Sequence, residues 1–134
     1  MAFLLDTNIV SDLVRHPHTG QIARHIKQVG EEQICTSIIV AAELHYGAAK
    51  SGSRRLLRLV EGALARIKVL PFEEPAEMTY AKLRVALERR GRLLGSNDLW
   101  IAAHALTLGH TLVTANTREF ARVTGLECEN WLSP

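Results

Sequence analysis

Five short apolar runs punctuate this chain, at Phe3–Leu5, Gln33–Thr36, Ile67–Leu70, Thr111–Ala115 and, more weakly, Leu126–Glu129. Each has the length of a strand. Between them lie segments of helical periodicity: Asn8–Val14, Thr19–Val29, Ser37–Lys50, Ser53–Arg66, Pro75–Arg90 and Asn97–Leu108. Strands separated by helices cannot pair as hairpins and must return through crossovers. The expected class is therefore α/β, with a central, mostly parallel sheet flanked by helices on both faces. Glycines at 20, 30, 52, 91 and 109 punctuate the helical segments, as turn and C-cap chemistry predicts. No repeat, low-complexity stretch or long linker intervenes, and 134 residues suit one domain spanning 1–134.

Such a sheet restricts where chemistry can sit, because sites form beyond the carboxyl ends of the strands. The opening stretch, MAFLLDTNIV, sets Asp6 at that place, directly after the first apolar run. Burying a carboxylate there is costly unless it is paired or coordinates a cation. Asp6 either caps the helix that follows or holds a metal ion.

Two further carboxylates raise the same choice. In TSIIVAAELHYGAAK, Ile39 and Val40 lie one turn before Glu43, and Tyr46 and Gly47 one turn after it. Glu43 is thus placed on an apolar stripe. In GSNDLWIAAHALTLG, Ser96 or Asn97 is the expected cap, leaving Asp98 in the first turn, where the helix dipole favours it. Ile101 and Ala102 nevertheless put Asp98 above an apolar face as well. A fourth stretch, TLVTANTREF, brings Thr114, Asn116 and Glu119 to the end of another strand, with Thr117 as the cap of a short helix. Together these residues offer an all-oxygen ligand set at one rim. Hard cations such as Mg²⁺ or Mn²⁺ take such ligands, and they activate water and stabilise a leaving oxygen in phosphodiester cleavage.

Composition narrows the remaining classes. Apolar residues make up 47% and charged residues 22%, a balance that folds and argues against disorder. The net charge of +2 permits a polyanionic partner without requiring one. No apolar run approaches a membrane span, and the start lacks a signal-peptide layout. Cys35 and Cys128 are too few for a disulfide scaffold or a zinc cage, which suits a reduced, cytoplasmic protein; their pairing stays open. Met1 and the length suit a whole small protein. Basic residues gather at Lys50, Arg54, Arg55, Arg58, Arg66 and Lys68, and again at Arg84, Arg89, Arg90 and Arg92. The loop of Arg89, Arg90 and Arg92 leads to Asp98 and is the better candidate for RNA contact. His45 and His104 fall on helices near the same rim, and Trp100 is expected to pack in the core or at a dimer contact.

The stretches LLDTNIVSDL, TSIIVAAELHYGA and NDLWIAAHALTLGHTLVTANTREFARVTGLECENW span almost the whole chain in order. They resemble the PIN-domain ribonucleases, and within them the VapC-type toxins of bacterial toxin–antitoxin pairs. The resemblance places Asp6, Glu43 and Asp98 at the acidic metal-binding positions, with Thr7 and Asn8 as supports of the first. Asn116 falls where many relatives carry an acid, and Glu119 is acidic nearby, so the fourth ligand is one or the other. What the resemblance implies is a homodimer with Mg²⁺-dependent endoribonuclease activity, Mn²⁺ substituting. The substrate would be RNA, as in relatives that cut tRNA or ribosomal RNA. A VapB-type antitoxin protein would cover the acidic pocket.

Two other classes compete. One is a PIN-like binding module without chemistry, which Asn116 in place of an acid would favour. The other is a phosphotransfer domain with Asp6 as nucleophile. That class needs a second Asp two residues on, where this chain has Asn8.

Overall fold

A computed structural model describes residues 2–132. The three central strands, β1 (Phe3–Leu5), β2 (Ile34–Ser37) and β4 (Thr111–Val113), are buried throughout, as strands covered on both faces must be. They are joined by β3 (Lys68–Leu70) and β5 (Cys128–Glu129) in the order β3-β2-β1-β4-β5, and every neighbouring pair is parallel. The expected sheet is present and is wholly parallel among the described residues. The 3₁₀ turn Glu31–Gln33 takes Gln33, so β2 begins one residue later than the apolar run suggested.

Helices α1 (Thr7–Arg15) and α2 (Gln21–Val29) connect β1 to β2, and α3 (Ile38–Ser51) and α4 (Arg54–Ala65) connect β2 to β3. The chain then crosses back through α5 (Ala76–Arg89) and α6 (Ser96–Leu108) to β4, and the short α7 (Thr117–Phe120) precedes β5. Because β2 and β3 step away from β1 in one direction and β4 and β5 in the other, right-handed crossovers put α1–α4 and α5–α6 on opposite faces. The helices α1, α3 and α4 pack on one another, and α5 packs on α6.

The helices end where the sequence stops them. Gly52 (φ 68°) and Gly109 (φ 70°) close α3 and α6 in the left-handed conformation, which glycine adopts without a side-chain clash. Ser37 and Ser53 cap α3 and α4 through their hydroxyls. In α6, Ile101, Ala102, Ala103 and Ala105 are fully buried, and the three alanines let this helix lie close to the sheet. Trp100 is half-buried, stacked on Tyr80 of α5 at 3.5 Å and met edge-on by Phe72. Leu4, Leu5, Leu112 and Val113 form the inner sheet with no exposure; each such side chain contributes about 1.5–3 kcal/mol through burial.

The register answers the cysteine question. Cys35, Leu4, Leu112 and Cys128 stand in one line across four strands. Three strand spacings separate the thiols by about 14 Å, twice the limit of roughly 7 Å between the Cα atoms of a disulfide. Both cysteines are free, and burial pushes each thiol pKa up to about 11.

Candidate functional site

The sheet reverses its strand order between β1 and β4. Crevices beyond the carboxyl ends open at such a switch point, and Asp6 sits in this one. Its backbone N–H donates to Val113 at 2.9 Å, continuing the β1–β4 ladder by one residue. The side chain is 3% exposed and accepts two hydrogen bonds, from Thr7 N–H on Oδ1 and from the Thr114 hydroxyl on Oδ2, each 2.7 Å. Asp6 is therefore the cap of α1, and the carboxylate that caps it is itself buried. Each oxygen keeps a lone pair beyond the bond it accepts.

Thr7 ties this corner to the next. Its hydroxyl donates to Glu43 Oε1 at 2.5 Å, so one residue holds Asp6 by its backbone and Glu43 by its side chain. Glu43 is half-buried, one turn after the buried Val40, while Tyr46, one turn on, is 66% exposed. The apolar stripe predicted around Glu43 thus covers only its amino-terminal side, and the other side opens to solvent. Thr114 is engaged on both sides, donating to Asp6 and accepting from Asn116 N–H at 3.0 Å. It positions Asp6 instead of standing as a free oxygen ligand. Asn8, expected beside Thr7 as a support, is exposed and makes no hydrogen bond to Asp6 among the described residues.

Asp98 lies in the first turn of α6, capped by Gly95 without a side-chain bond and not by Ser96 or Asn97. The helix dipole should lower its pKa. Instead it is raised to about 6, by burial first and then by the charges of Asp6, Glu43 and Glu119. Burial and repulsion win over the dipole, and four carboxylates thus lie within one field. Asp6 is likewise raised, chiefly by burial and further by Glu43. Glu119, not the exposed side chain of Asn116, is the acid that shares this rim.

No ion pair offsets these charges among the described residues. The one found there, Arg84 with Glu88, lies on the exposed face of α5. The carboxylates also do not converge into a ready-made shell: no three acidic, His or Cys side chains among the described residues stand close enough to hold one ion. Four like charges lacking a counter-ion repel one another, and Glu43 is drawn to Thr7. An all-oxygen set of acids with uncompensated charge fits a hard divalent cation, which would reverse the cause of the raised pKa values. It does not fit an attacking nucleophile at Asp6, whose two oxygens are both engaged and nearly sealed from solvent.

Arg90, expected on RNA, spends its guanidinium on the carbonyl of Arg122 at 2.6 Å, and Arg122 in turn donates to Leu93 at 3.1 Å. These two bonds pin the α5–α6 loop, which leads to Asp98, against the segment after α7. Arg89 and Arg92 remain exposed, as does Arg118 beside Glu119, which the sequence did not single out. Of the two histidines expected near the rim, His45 is exposed, whereas His104 is buried in α6.

Residues 3–126 match the PIN domain family. The chain belongs to that family. This PIN domain is 36% identical over 133 residues to ribonuclease VapC2 of Haemophilus influenzae, covering 98% of this chain and 99% of the relative. It is 38% identical over 132 residues to the tRNA(fMet)-specific endonuclease VapC of Shigella flexneri, with 98% of each covered. Its fold superposes on a chain of the VapBC2 complex from Rickettsia felis, bound there to a promoter DNA fragment, with a TM-score of 0.88. That match has 34% identity and covers 98% of this chain and 99% of that one.

Proposed function

We propose that this PIN domain is a metal-dependent endoribonuclease and the toxin of a type II toxin–antitoxin system. The relatives named ribonuclease and endonuclease VapC support the activity, and the structural likeness to a VapBC complex supports a VapB-type antitoxin as partner. The observation that carries the chemistry is the four-carboxylate field around Asp98, which no basic side chain pairs with among the described residues.

Asp6, Glu43 and Asp98, with Glu119 as the fourth acid, would hold Mg²⁺, or Mn²⁺ in its place. When bound, the ion supplies a Lewis acid for water and for the charge that builds on the phosphodiester. The chain's own part is to fix the acids. Thr114 and Thr7 hold Asp6, Thr7 holds Glu43, and the start of α6 presents Asp98. Without a cation the same acids repel a phosphate, so the metal requirement is strict. Arg89, Arg92 and Arg118 provide exposed positive charge for the RNA backbone. A homodimer in the cytoplasm suits this reading, and no helix among the described residues is long and apolar enough to cross a membrane.

The test is cleavage of bulk RNA and tRNA by wild type and Asp6→Asn in Mg²⁺, Mn²⁺ or EDTA. Cutting by wild type with either ion, lost in EDTA and in the variant, is the expected result. Equal cutting by both proteins would overturn the assignment. A silent binding module finds support in the lack of a preformed shell among the described residues and in Asn116. Mn²⁺ titration separates it, because a silent module shows no binding that depends on Asp6.

A further inference from the structure

His104 is a polar side chain sunk in an apolar helix, 2% exposed among Ile101, Ala102, Ala103 and Ala105. Its ring meets Phe72 edge-on at 5.2 Å. Nδ1 lies 2.8 Å from the hydroxyl of Ser37, and the ring has a second hydrogen bond to the backbone of Pro71. The imidazole and the Ser37 hydroxyl share one hydrogen bond, its direction set by the ring's tautomer. That hydroxyl also accepts from Ile39 N–H at 3.0 Å, capping α3. Burial pushes the ring's pKa down and favours its neutral form.

This relay joins three elements: α6, the β2–α3 junction, and the loop after β3. Glu43 lies six residues beyond Ser37 on α3, and Asp98 six residues before His104 on α6. Each acid is therefore about 9 Å along its own helix from the polar contact that links those helices. We propose that His104 is a positioning residue of the carboxylate site, setting through Ser37 the separation of Glu43 and Asp98. An apolar residue of similar volume would fill the space but would leave the Ser37 hydroxyl without its imidazole partner and free the two helices to slide. The inference rests on the proposed metal site and concerns what keeps that site in register.

The experiment compares Mn²⁺ affinity, read by calorimetry, with kcat and KM for RNA in wild type, His104→Leu, His104→Asn and His104→Gln. Asparagine places its amide, donor and acceptor both, where Nδ1 meets Ser37; glutamine carries its amide one bond further toward Pro71 and offers Ser37 nothing. His104→Leu should bind Mn²⁺ about tenfold more weakly and lose a similar factor in kcat, as outer partners of a metal site do, with KM little changed. His104→Asn should recover most of both, and His104→Gln should not. Wild-type Mn²⁺ affinity and kcat in folded His104→Leu would overturn the positioning role. So would equal behaviour of the Asn and Gln variants, which decides the matter if the Leu variant fails to fold. If wild type binds no Mn²⁺ in a manner that depends on Asp6, the metal site itself falls, and the positioning role with it.

Discussion

At the carboxyl edge of the sheet, Asp6 is sealed from solvent near Glu43, and Asp98 lies in the field of Asp6, Glu43 and Glu119. At the amino edge of the same strands, Leu13, Ile26, Ile34, Ala63 and Ile67 wall an apolar cavity of about 130 Å³, with Lys27, Glu31 and Arg66 around it. One edge buries charge without a counter-ion, and the other buries hydrocarbon. In the absence of metal the first edge costs stability and the second supplies it. The rim that we propose as the metal site is thus the part of the fold that is least comfortable.

The largest effect should come from separating those two roles in one substitution. Asp98→Asn removes a charge that burial and three neighbouring acids disfavour. The metal-free protein should then melt higher, by about 4 °C for a gain of roughly 1 kcal/mol. RNA cleavage should fall by about 10³-fold, the loss of several kcal/mol of transition-state stabilisation. A variant that is both less stable and less active would show that Asp98 is a structural cap.

The amino edge should respond in the opposite sense. Ile34→Ala enlarges the existing cavity and should cost about 2–5 kcal/mol, measured by urea denaturation. The folded fraction should keep wild-type Mn²⁺ affinity, because Ile34 lies at the far end of β2 from Ser37. A matching drop in affinity would mean that the two edges are not independent.

What the sequence conveyed divides along the same line. The strands, the parallel order and the placement of Asp6 followed from apolar runs alternating with helical periods, a local signal. Glu43 and Asp98 stood out because each interrupts an apolar face. The interactions that organise them were not legible. Thr7 to Glu43 and Thr114 to Asp6 join residues 36 and 108 positions apart. The bond from Arg90 to Arg122 spans 32 positions and gives a residue expected at RNA a further task, clamping a loop. Gly95 displaced Ser96 and Asn97 as the cap of α6 because capping depends on the loop's exit angle, which composition does not carry. His104 read as one more helical histidine until the fold set Ser37 beside it.

A smaller effect concerns pH. In the folded protein Asp98 titrates near 6, against an ordinary value of 3.8. Below about 4 it is protonated whether the chain is folded or not, and no penalty is felt. As pH rises through about 6 the folded state must carry the charge, and stability is lost. Asp6 is shifted in the same direction. The difference in melting temperature between Asp98→Asn and wild type should therefore be large at pH 7 and close toward pH 4. Saturating Mg²⁺ should shrink it at pH 7 by stabilising only the wild type. A difference that ignores pH would place the charge in solvent and remove the contrast between the edges.

The smallest effect sharpens the contrast within the rim itself, between arginines already bonded and those left exposed. Arg89 and Arg92 lie outside the clamp, whereas Arg90 is committed to Arg122. If the exposed pair meets phosphate, Arg89→Ala with Arg92→Ala should raise KM a few-fold at moderate salt and leave kcat and Mn²⁺ affinity alone. It should also reduce the dependence of log KM on log salt by about one for each phosphate no longer neutralised. Arg90→Ala should behave differently. Its bond fixes a loop that leads to Asp98, so removing it should cost less than about 1 kcal/mol of stability and act on kcat with the salt slope unchanged. Identical salt slopes in both variants would mean that these arginines serve the loop alone, and that the RNA is held by charge elsewhere, with Arg118 the next residue to replace.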